Sequence, residues 1–298
     1  MALRRITTIS ELSRLLDSER AAGQTIGLVP TMGALHDGHA SLIVRAANRT
    51  DVVVTTVFVN PLQFAPTEDL AAYPRDLKND ICLAKAAGAH VMFAPSVEEM
   101  YPFGPANVLT NVSVSALTTG LDGATRPGHF DGVATIVAKL FAIAGRCSAF
   151  FGEKDFQQLA IVRRMAADLS FPVDVVGCPT IREHDGLAMS SRNRYLTDDQ
   201  RAHAPLLYQA LTAGQELVEA GEASADTVRT VMRSLVETDP LFGLQYAEAV
   251  DPLTLQPLGS VEPGRAVRLL IAATLGRARL IDNLGATAAF VASDPTHS

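Results

Sequence analysis

The chain has 298 residues and a mass of 31.7 kDa, with 48% hydrophobic and 19% charged residues. Because this composition can bury a full apolar core, it excludes a disordered or low-complexity protein, and the length suggests about two domains. Lys and Arg total 25 against 32 Asp and Glu, so the formal net charge of −7 disfavours nucleic acid and anionic membranes as partners.

Three scattered cysteines, Cys82, Cys147 and Cys178, form no CxxC pair. An odd, dispersed set indicates thiols in a reducing compartment rather than a disulfide framework or a zinc site. The N-terminus lacks the apolar stretch of a signal peptide, and no segment approaches the ~18 apolar residues of a membrane span. We therefore expect a cytoplasmic protein.

The first half of the chain alternates amphipathic stretches with short apolar runs rich in β-branched residues. This pattern predicts helices at 10–22, 38–49, 76–87, 130–144 and 156–169, and strands at 26–29, 52–59, 91–94, 148–151 and 173–176. Alternating strands and helices indicate an α/β fold, a Rossmann-like parallel sheet with helices on both faces.

The pattern changes after residue 194, where the apolar spacing predicts two helices followed by three short strands. The helices are expected at 197–220 and 224–236, and the strands at 245–250, 267–274 and 277–281. This is typical of α+β structure. We therefore expect two domains: residues 1–180, Rossmann-like, and residues 181–298, a smaller C-terminal α+β domain.

Four loops carry clusters of polar residues, and each is predicted to leave the carboxyl end of a strand. They are 30–39, 60–63, 152–158 and 189–192. Because ligands of an open parallel sheet bind beyond the carboxyl ends of its strands, we expect these loops to converge on one crevice.

The loop 30–39 places His36 and His39 on either side of Gly38, where a strand passes into a helix. A helix N-terminus attracts phosphate, glycine allows close approach of the backbone, and imidazoles can donate to developing charge. Two simpler interpretations stay open for this HxxH pattern, a helix cap with surface histidines and a two-histidine metal site. A zinc site would need further ligands, and none follows at a convincing spacing.

Two further loops carry groups suited to a nucleotide. Lys154 follows an apolar strand and can pair with a phosphate, while Asp155 can accept from ribose hydroxyls or simply cap the next helix. Ser190, Ser191 and Arg192 offer two hydroxyls and a guanidinium for the outer phosphates, although a solvated serine-rich loop would look the same.

Gln63 and Gln158 follow two different strands and suit an uncharged hydroxyl or amide rather than a phosphate. Several common motifs are missing from the sequence, namely GxxxxGK[ST], GxGxxG, GxSxG and HExxH. Their absence excludes a Walker-type phosphate loop and disfavours dinucleotide enzymes, serine hydrolases and zincins.

Taken together, the motifs resemble those of the pantothenate synthetase (pantoate–β-alanine ligase) family, within the HIGH-motif nucleotidyltransferase superfamily. The matching stretches are PTMGALHDGH (30–39), FVNPLQF (58–64), YPR (73–75), RPGHFDGV (126–133), FFGEKDFQQL (150–159) and REHDGLAMSSRNRYL (182–196). Asp122, Phe156 and Leu62 depart from the usual family residues without removing a charged catalytic group.

The resemblance implies an enzyme that condenses pantoate with β-alanine at the expense of ATP, through a pantoyl adenylate, releasing AMP and pyrophosphate. It also implies Mg²⁺ as cofactor, a homodimer, and small-molecule partners only, without nucleic acid or membrane. The first domain would then bind ATP and pantoate, and the second would act as a lid.

The resemblance further assigns roles to individual residues. ATP would contact Met32, Gly33, Ala34, Leu35, His36, Asp37, Gly38, His39, Gly152, Glu153, Lys154, Asp155, Ile181, Met189, Ser190, Ser191 and Arg192. The catalytic groups would be His39 (as proton donor), His36, Lys154, Ser191 and Arg192. Gln63 and Gln158 would hold pantoate. No direct metal ligand is assigned, and Asp80 is a candidate outer-shell partner of the metal.

Rival functions are a nucleotidyltransferase with a phosphate acceptor, a tRNA synthetase relative and a non-catalytic nucleotide sensor. The first would need basic residues where the acceptor pocket is predicted to carry glutamines, and the second a basic surface for RNA. The retained histidines, Lys154 and Arg192 argue against the sensor. We assign no role to the tail after Asn283.

Overall fold

The structure is a computed structural model that describes residues 3–64, 70 and 73–289. The chain divides into two compact units, Met1–Ile181 and Arg182–Ser298. The ends of the two predicted domains, residues 1–2 and 290–298, lie outside the described residues. The roles predicted for the two domains stay predictions.

A six-stranded sheet forms the centre of the first unit. Its strands are β1 (Arg4–Ile6), β2 (Ile26–Val29), β3 (Val52–Thr56), β4 (Val91–Phe93), β5 (Cys147–Gly152) and β6 (Val173–Cys178). Their order is β1-β4-β3-β2-β5-β6, and every neighbouring pair is parallel. The strand order reverses at β2, so the sheet has a switch point between β2 and β5, where α/β folds bind ligands.

Helices flank this sheet, as the alternating pattern predicts. They are α1 (Ile9–Ala21), α2 (Asp37–Ala47), α3 (Leu77–Ala86), α4 (Val97–Met100), α5 (Asp122–Thr125), α6 (His129–Ala144) and α7 (Phe156–Asp168). All four residues of β2 are buried, as expected of a central strand covered on both faces. The predicted α/β fold with a parallel sheet is confirmed.

Two strands differ from the sequence-based prediction. The edge strand β1 was not expected, because only Ile6 of its three residues is buried and so short a strand has no alternating pattern. Strand β3 ends at Thr56 rather than at residue 59. Beyond Thr56, Val57 N donates to Phe93 O (2.8 Å) and Phe58 N to Thr31 O (3.2 Å), so the backbone still makes hydrogen bonds after the regular ladder ends.

The second unit packs helices on a three-stranded antiparallel sheet. Its helices are α8 (Asp198–His203), α9 (Leu206–Glu219) and α10 (Ala225–Glu237), and its strands are β7 (Phe242–Val250), β8 (Ala266–Leu275) and β9 (Ala278–Thr287). The strand order is β7-β8-β9, with Gly276 at a φ of +59° in the tight turn between β8 and β9. The predicted smaller α+β region is confirmed.

The single helix predicted over 197–220 is wrong. The helix breaks between α8 and α9 at Pro205, which has no N–H to continue the hydrogen-bond ladder and whose ring clashes with the preceding turn. Strand β9 also continues to Thr287, six residues beyond the predicted end. In the described part of the chain, no helix combines the length and apolarity that crossing a membrane requires.

Candidate active site

Three of the four polar loops lie side by side at one edge of the parallel sheet. Residues 60–63 follow β3, residues 30–39 follow β2 and residues 152–158 begin at the end of β5, and these three strands are neighbours. The prediction that the fourth loop also leaves a strand end is wrong. Residues 189–192 lie eleven residues beyond the end of β6 and belong to the second unit.

Asp80 determines the shape of the first loop. This carboxylate on α3 is only 1% exposed, and its Oδ1 and Oδ2 accept hydrogen bonds from Leu35 N (2.7 Å) and Ala34 N (3.2 Å). Ala34 has a φ of +51° and Gly33 a φ of +87°, both in the left-handed region, so the turn needs such support. Burial raises the pKa of Asp80, and the two amide donors oppose that rise.

The loop begins with a second set of contacts, to the end of β3. Thr31 Oγ1 donates to Thr56 O (2.6 Å), and Gly33 N donates to Thr31 Oγ1 (3.2 Å). Met32 therefore lies between two anchored residues.

The two histidines cap helix α2 reciprocally. His36 is the N-cap, and its Nδ1 accepts from Gly38 N (3.1 Å), while His39 Nδ1 accepts from His36 N (3.3 Å). The ring centroids are 4.2 Å apart. A Cβ at residue 38 would lie 2.9 Å from His36 Cε1, so glycine lets this ring fold over the helix start without displacement. Asp37, the first helical residue, is exposed.

These contacts determine the protonation of both rings. An Nδ1 that accepts a hydrogen bond carries no proton, so each neutral imidazole holds its proton on Nε2. Burial, the neighbouring His36 and the charge of Lys154 lower the pKa of His39 to about 3. Burial and Lys154 lower the pKa of His36 as well, against the opposing effect of Asp37. At neutral pH both side chains are therefore uncharged hydrogen-bond donors through Nε2.

Lys154 and Asp155 approach the histidines from the end of β5. The ammonium of Lys154 lowers the pKa of both rings and Asp155 raises it, which places the two charges beside the imidazole pair. Lys154 Nζ lies 3.4 Å from Asp155 Oδ1. Both belong to a short 3-10 turn that follows Gly152 and begins with Glu153. Asp155 occupies the N-cap position of α7, as predicted, but its side chain makes no capping hydrogen bond there.

Asn60 holds the turn that carries Gln63. Its side chain is fully buried: Oδ1 accepts from Leu62 N (3.3 Å) and Tyr101 Oη (2.7 Å), and Nδ2 donates to Gly132 O (3.1 Å). A Cβ at residue 132 would lie 2.1 Å from Leu62 O, so glycine is required for α6 to approach this turn. At position 62, which departs from the family, the backbone makes the structural contacts.

The two predicted pantoate-binding glutamines differ from the intervening Gln157 in their contacts with the described part of the chain. Gln63 is 8% exposed and Gln158 is half-buried, and within the described residues neither side chain makes a hydrogen bond to the protein. The adjacent Gln157 differs: it donates to Leu117 O (2.8 Å) and Gly120 O (2.9 Å). Of two consecutive glutamines, the structure therefore bonds Gln157 to the scaffold, and the pantoate contact of Gln158 stays a prediction.

His129, in the RPGHFDGV stretch, supports the same turn from α6. Its Nδ1 lies 2.8 Å from Gln63 O, and its Nε2 lies 2.8 Å from a guanidinium nitrogen of Arg126. Because the arginine can only donate, Nε2 accepts and Nδ1–H donates to the carbonyl. His129 therefore carries its proton on the opposite nitrogen from His36 and His39.

The remaining predicted ATP contacts are divided between the units. Ile181 is the last residue of the first unit and is 37% exposed. Met189 to Arg192 lie in the second unit, where Ser190 Oγ accepts from Arg192 N (3.2 Å) and both Ser191 and Arg192 are exposed. The structure thus brings together His36, His39, Lys154 and Asp155, whereas the contribution of residues 189–192 stays a prediction.

Sequence reasoning missed the residues that position the site. Asn60 and Gly132 stand inside recognised motifs, so their motif membership was an available signal. Asp80 lies 45 residues from Leu35 along the chain, and no spacing rule connects a helical aspartate with a distant loop.

The chain matches the family model described as pantoate-beta-alanine ligase over residues 4–285. It is 50% identical over 282 residues to the pantothenate synthetase of Pseudomonas savastanoi pv. phaseolicola, covering 95% of this chain and 98% of that protein. Over 279 residues it is 48% identical to the pantothenate synthetase of Moorella thermoacetica, covering 94% and 97%.

Solved structures agree with this match. The pantothenate synthetase of Thermus thermophilus superposes with a TM-score of 0.86 at 47% identity, covering 95% of this chain and 99% of that one. The pantoate-beta-alanine ligase of Francisella tularensis, complexed with beta-gamma ATP and beta-alanine, has a TM-score of 0.75 at 32% identity, covering 95% and 97%. The chain therefore belongs to the pantoate–β-alanine ligase family and is an enzyme that joins pantoate to β-alanine.

Proposed function

We propose that the ligation proceeds in two steps at the carboxyl edge of β3, β2 and β5, through a pantoyl adenylate. The observation that carries this proposal is that loops following three neighbouring strands carry two kinds of group. His36, His39 and Lys154 supply hydrogen-bond donors and positive charge, and Gln63 and Gln158 supply carboxamides without a protein partner among the described residues. The first set suits the phosphates of ATP, and the second suits a hydroxylated acid.

In the first step, a carboxylate oxygen of pantoate bonds to the α-phosphorus of ATP, and the bond from that phosphorus to the bridging oxygen breaks to release pyrophosphate. Charge increases on the oxygens around the α-phosphorus. We assign the Nε2–H groups of His36 and His39 and the ammonium of Lys154 to those oxygens, because donors already in place stabilise the transition state without reorganisation.

This assignment gives His39 a more restricted role than that of a proton donor. A ring with a pKa of about 3 is neutral at pH 7, so it donates a hydrogen bond through Nε2 and does not transfer a proton as an imidazolium. Its fixed Nδ1 contact also keeps the ring from turning.

In the second step, the neutral amine of β-alanine attacks the acyl carbon of the mixed anhydride. The C–N bond forms, the C–O bond to the phosphate breaks, AMP leaves, and the amine loses one proton to solvent. We propose that Ser190, Ser191 and Arg192 contact the outer phosphates of ATP and that the second unit shields the adenylate from water as a lid.

In this proposal magnesium would bind together with ATP, mainly through its phosphate oxygens. Among the residues that the structure describes, no cluster of three or more His, Cys, Asp or Glu side chains is arranged for a metal. Both oxygens of Asp80 accept loop amides, so its outer-shell role would have to coexist with that task. The side chains therefore do not fit a metal held by the protein alone, and phosphate oxygens would have to supply most ligands.

A cytoplasmic location and a homodimer belong to the same proposal. The three cysteines are free, and burial raises the pKa of the Cys147 thiol to about 12, so this thiol is unreactive at neutral pH. Free thiols support a reducing compartment. The dimer rests on the family resemblance.

The test separates the two steps. The enzyme is mixed with ATP and pantoate without β-alanine, and pyrophosphate is measured in a single turnover; β-alanine is then added and AMP is measured. We expect one equivalent of pyrophosphate before β-alanine and AMP release only after it. Pyrophosphate that appears only with all three substrates present would contradict a free-standing adenylate step.

A further inference from the structure

The segment that begins the second unit is folded into a small hairpin. Arg182 pairs with Ala188, Glu183 N donates to Leu187 O (2.8 Å) and Gly186 N donates to Glu183 O (3.0 Å). Gly186 has a φ of +95°, and a Cβ there would lie 2.3 Å from Tyr208 Cδ1, so this turn accepts only glycine. Residues 189–192, the predicted phosphate-binding segment, follow immediately.

The base of the hairpin is fastened to the body of the second unit. The Arg182 guanidinium binds both carboxylate oxygens of Asp282 on β9, at 2.6 and 3.0 Å, and stacks 3.9 Å from the ring centroid of Tyr208 on α9. The Asp282 side chain is 4% exposed. Because Arg182 is bidentate, stacked and largely buried, the base of the hairpin has little freedom to move.

Glu183 holds the residues that flank the predicted phosphate-binding segment 189–192. Its Oε2 accepts from Arg201 on α8 (2.6 Å), and its Oε1 accepts from the Asn193 side chain (2.8 Å), which also donates to Ala188 O (3.1 Å). Arg201 binds Asp185 with its second nitrogen (2.6 Å). The Glu183 carboxylate therefore connects α8 to Asn193, which follows residues 189–192, and the Asn193 amide in turn binds Ala188, which precedes them.

We propose that Glu183 is a positioning residue for the adenylation step, which holds residues 189–192 in the conformation that receives the ATP phosphates. The inference rests on the proposed phosphate contacts of that segment. In this proposal Glu183 acts through its contacts with Asn193 and Arg201. Ser191 and Arg192 are exposed, so without this carboxylate their backbone would depend on the Asn193 contact to Ala188 and on local turn hydrogen bonds to Ser190.

The same unit contains a matched control. Glu248 on β7 also bridges two side chains, Arg229 at 3.8 Å and Arg233 at 3.5 Å, and its side chain is 21% exposed against 28% for Glu183. Glu183→Gln weakens one arginine contact and one amide contact, and Glu248→Gln weakens two arginine contacts in the same unit. Only Glu183 contacts the segment that leads to Arg192.

The experiment compares Glu183→Gln with Glu248→Gln in the full-length enzyme. We expect Glu183→Gln to lower kcat/KM for ATP in pyrophosphate formation about tenfold or more, with the KM for pantoate unchanged, whereas Glu248→Gln stays within about twofold of wild type. Hydrogen exchange of residues 188–196 should accelerate in Glu183→Gln only. Equal effects of the two variants, or an unchanged ATP step in Glu183→Gln, would overturn the proposal.

A second variant covers the case in which Glu183→Gln does not fold. Asn193→Ala removes the other half of the bridge, and we expect the same selective loss in the ATP step; a normal ATP step in a folded Asn193→Ala enzyme would count against the proposal.

Arg192→Ala separates this inference from the proposed function. If Arg192→Ala leaves the ATP step intact, the phosphate contacts themselves are absent; if it impairs that step and the Glu183 and Asn193 variants do not, only the positioning role fails.

Discussion

Two segments predicted to contact ATP, residues 30–39 in the first unit and 189–192 in the second, are held by different kinds of interaction. The first is anchored by a carboxylate that is 1% exposed and accepts two backbone amides. The second depends on Glu183 and Arg201, whose side chains are about a quarter exposed. A buried contact to backbone is shielded from solvent and salt, whereas an ion pair that is about a quarter exposed is more readily screened. The first segment is therefore anchored by contacts that salt should leave intact, and the second by contacts that salt should weaken.

The largest expected effect tests the donor cluster beside the first segment. Lys154→Ala should slow pyrophosphate formation about 100-fold or more, because a preorganised charge is lost where negative charge develops. Single-turnover kinetics with ATP and pantoate measure the rate. Lys85→Ala, an exposed lysine on α3, is the control and should behave as wild type. A near-normal rate in Lys154→Ala would remove this residue from the chemistry.

The next effect tests the anchoring of that segment. Asp80→Ala leaves two loop amides without acceptors and should lower the rate of pyrophosphate formation about 10- to 100-fold by displacing the turn at Ala34. Asp76→Ala, which removes the N-cap of α3, should cost about 1 kcal/mol of stability without changing that rate. If the two variants lose activity in proportion to their stability, Asp80 has no specific role at the loop.

A smaller, more selective effect is expected at the paired glutamines of α7. Gln158→Ala should raise the KM for pantoate about three- to tenfold, the worth of one hydrogen bond, and leave ATP binding unchanged. Gln157→Ala should instead lower the free energy of unfolding by about 1–3 kcal/mol, since Leu117 O and Gly120 O lose their donor. Steady-state kinetics and thermal unfolding distinguish the two. The reverse pattern would exchange their roles.

The pH dependence of stability tests the neutral state of His39. With a pKa of about 3 in the folded protein and about 6.5 unfolded, the unfolded chain binds the extra proton, so this group lowers stability as the pH falls from 6.5 towards 3. The slope is at most about 1.4 kcal/mol per pH unit. Urea unfolding of His39→Gln should show a shallower loss over that range. An unchanged slope would mean that His39 titrates normally.

The smallest effect distinguishes the two segments directly. Raising NaCl to about 1 M, where screening extends only about 3 Å, should accelerate hydrogen exchange in residues 188–196. The amides of Ala34 and Leu35, bonded to buried Asp80, should keep their protection. Equal salt sensitivity of hydrogen exchange in the two segments would contradict the difference between a buried anchor and a partly exposed one.

Elements of the fold could be predicted from sequence when the interactions that form them lie between residues close together in the chain. The parallel sheet, most of its helices and the HDGH loop follow from periodicity and short-range turn chemistry. Two features were not predicted. Strand β1 has one buried residue, so its pairing at the sheet edge leaves little hydrophobic pattern. The helix break at Pro205 was missed because the amphipathic spacing continues across the proline.

The site shows the same division. The sequence by itself determined that imidazoles, an ammonium and carboxamides follow particular strands, because each of these features resides in a few consecutive residues. Only the tertiary structure decided which nitrogen of His36 and His39 bears the proton, which of two adjacent glutamines bonds to the scaffold, and which backbone amides Asp80 accepts. Those outcomes depend on hydrogen bonds and burial between residues far apart in the chain, which no local pattern encodes.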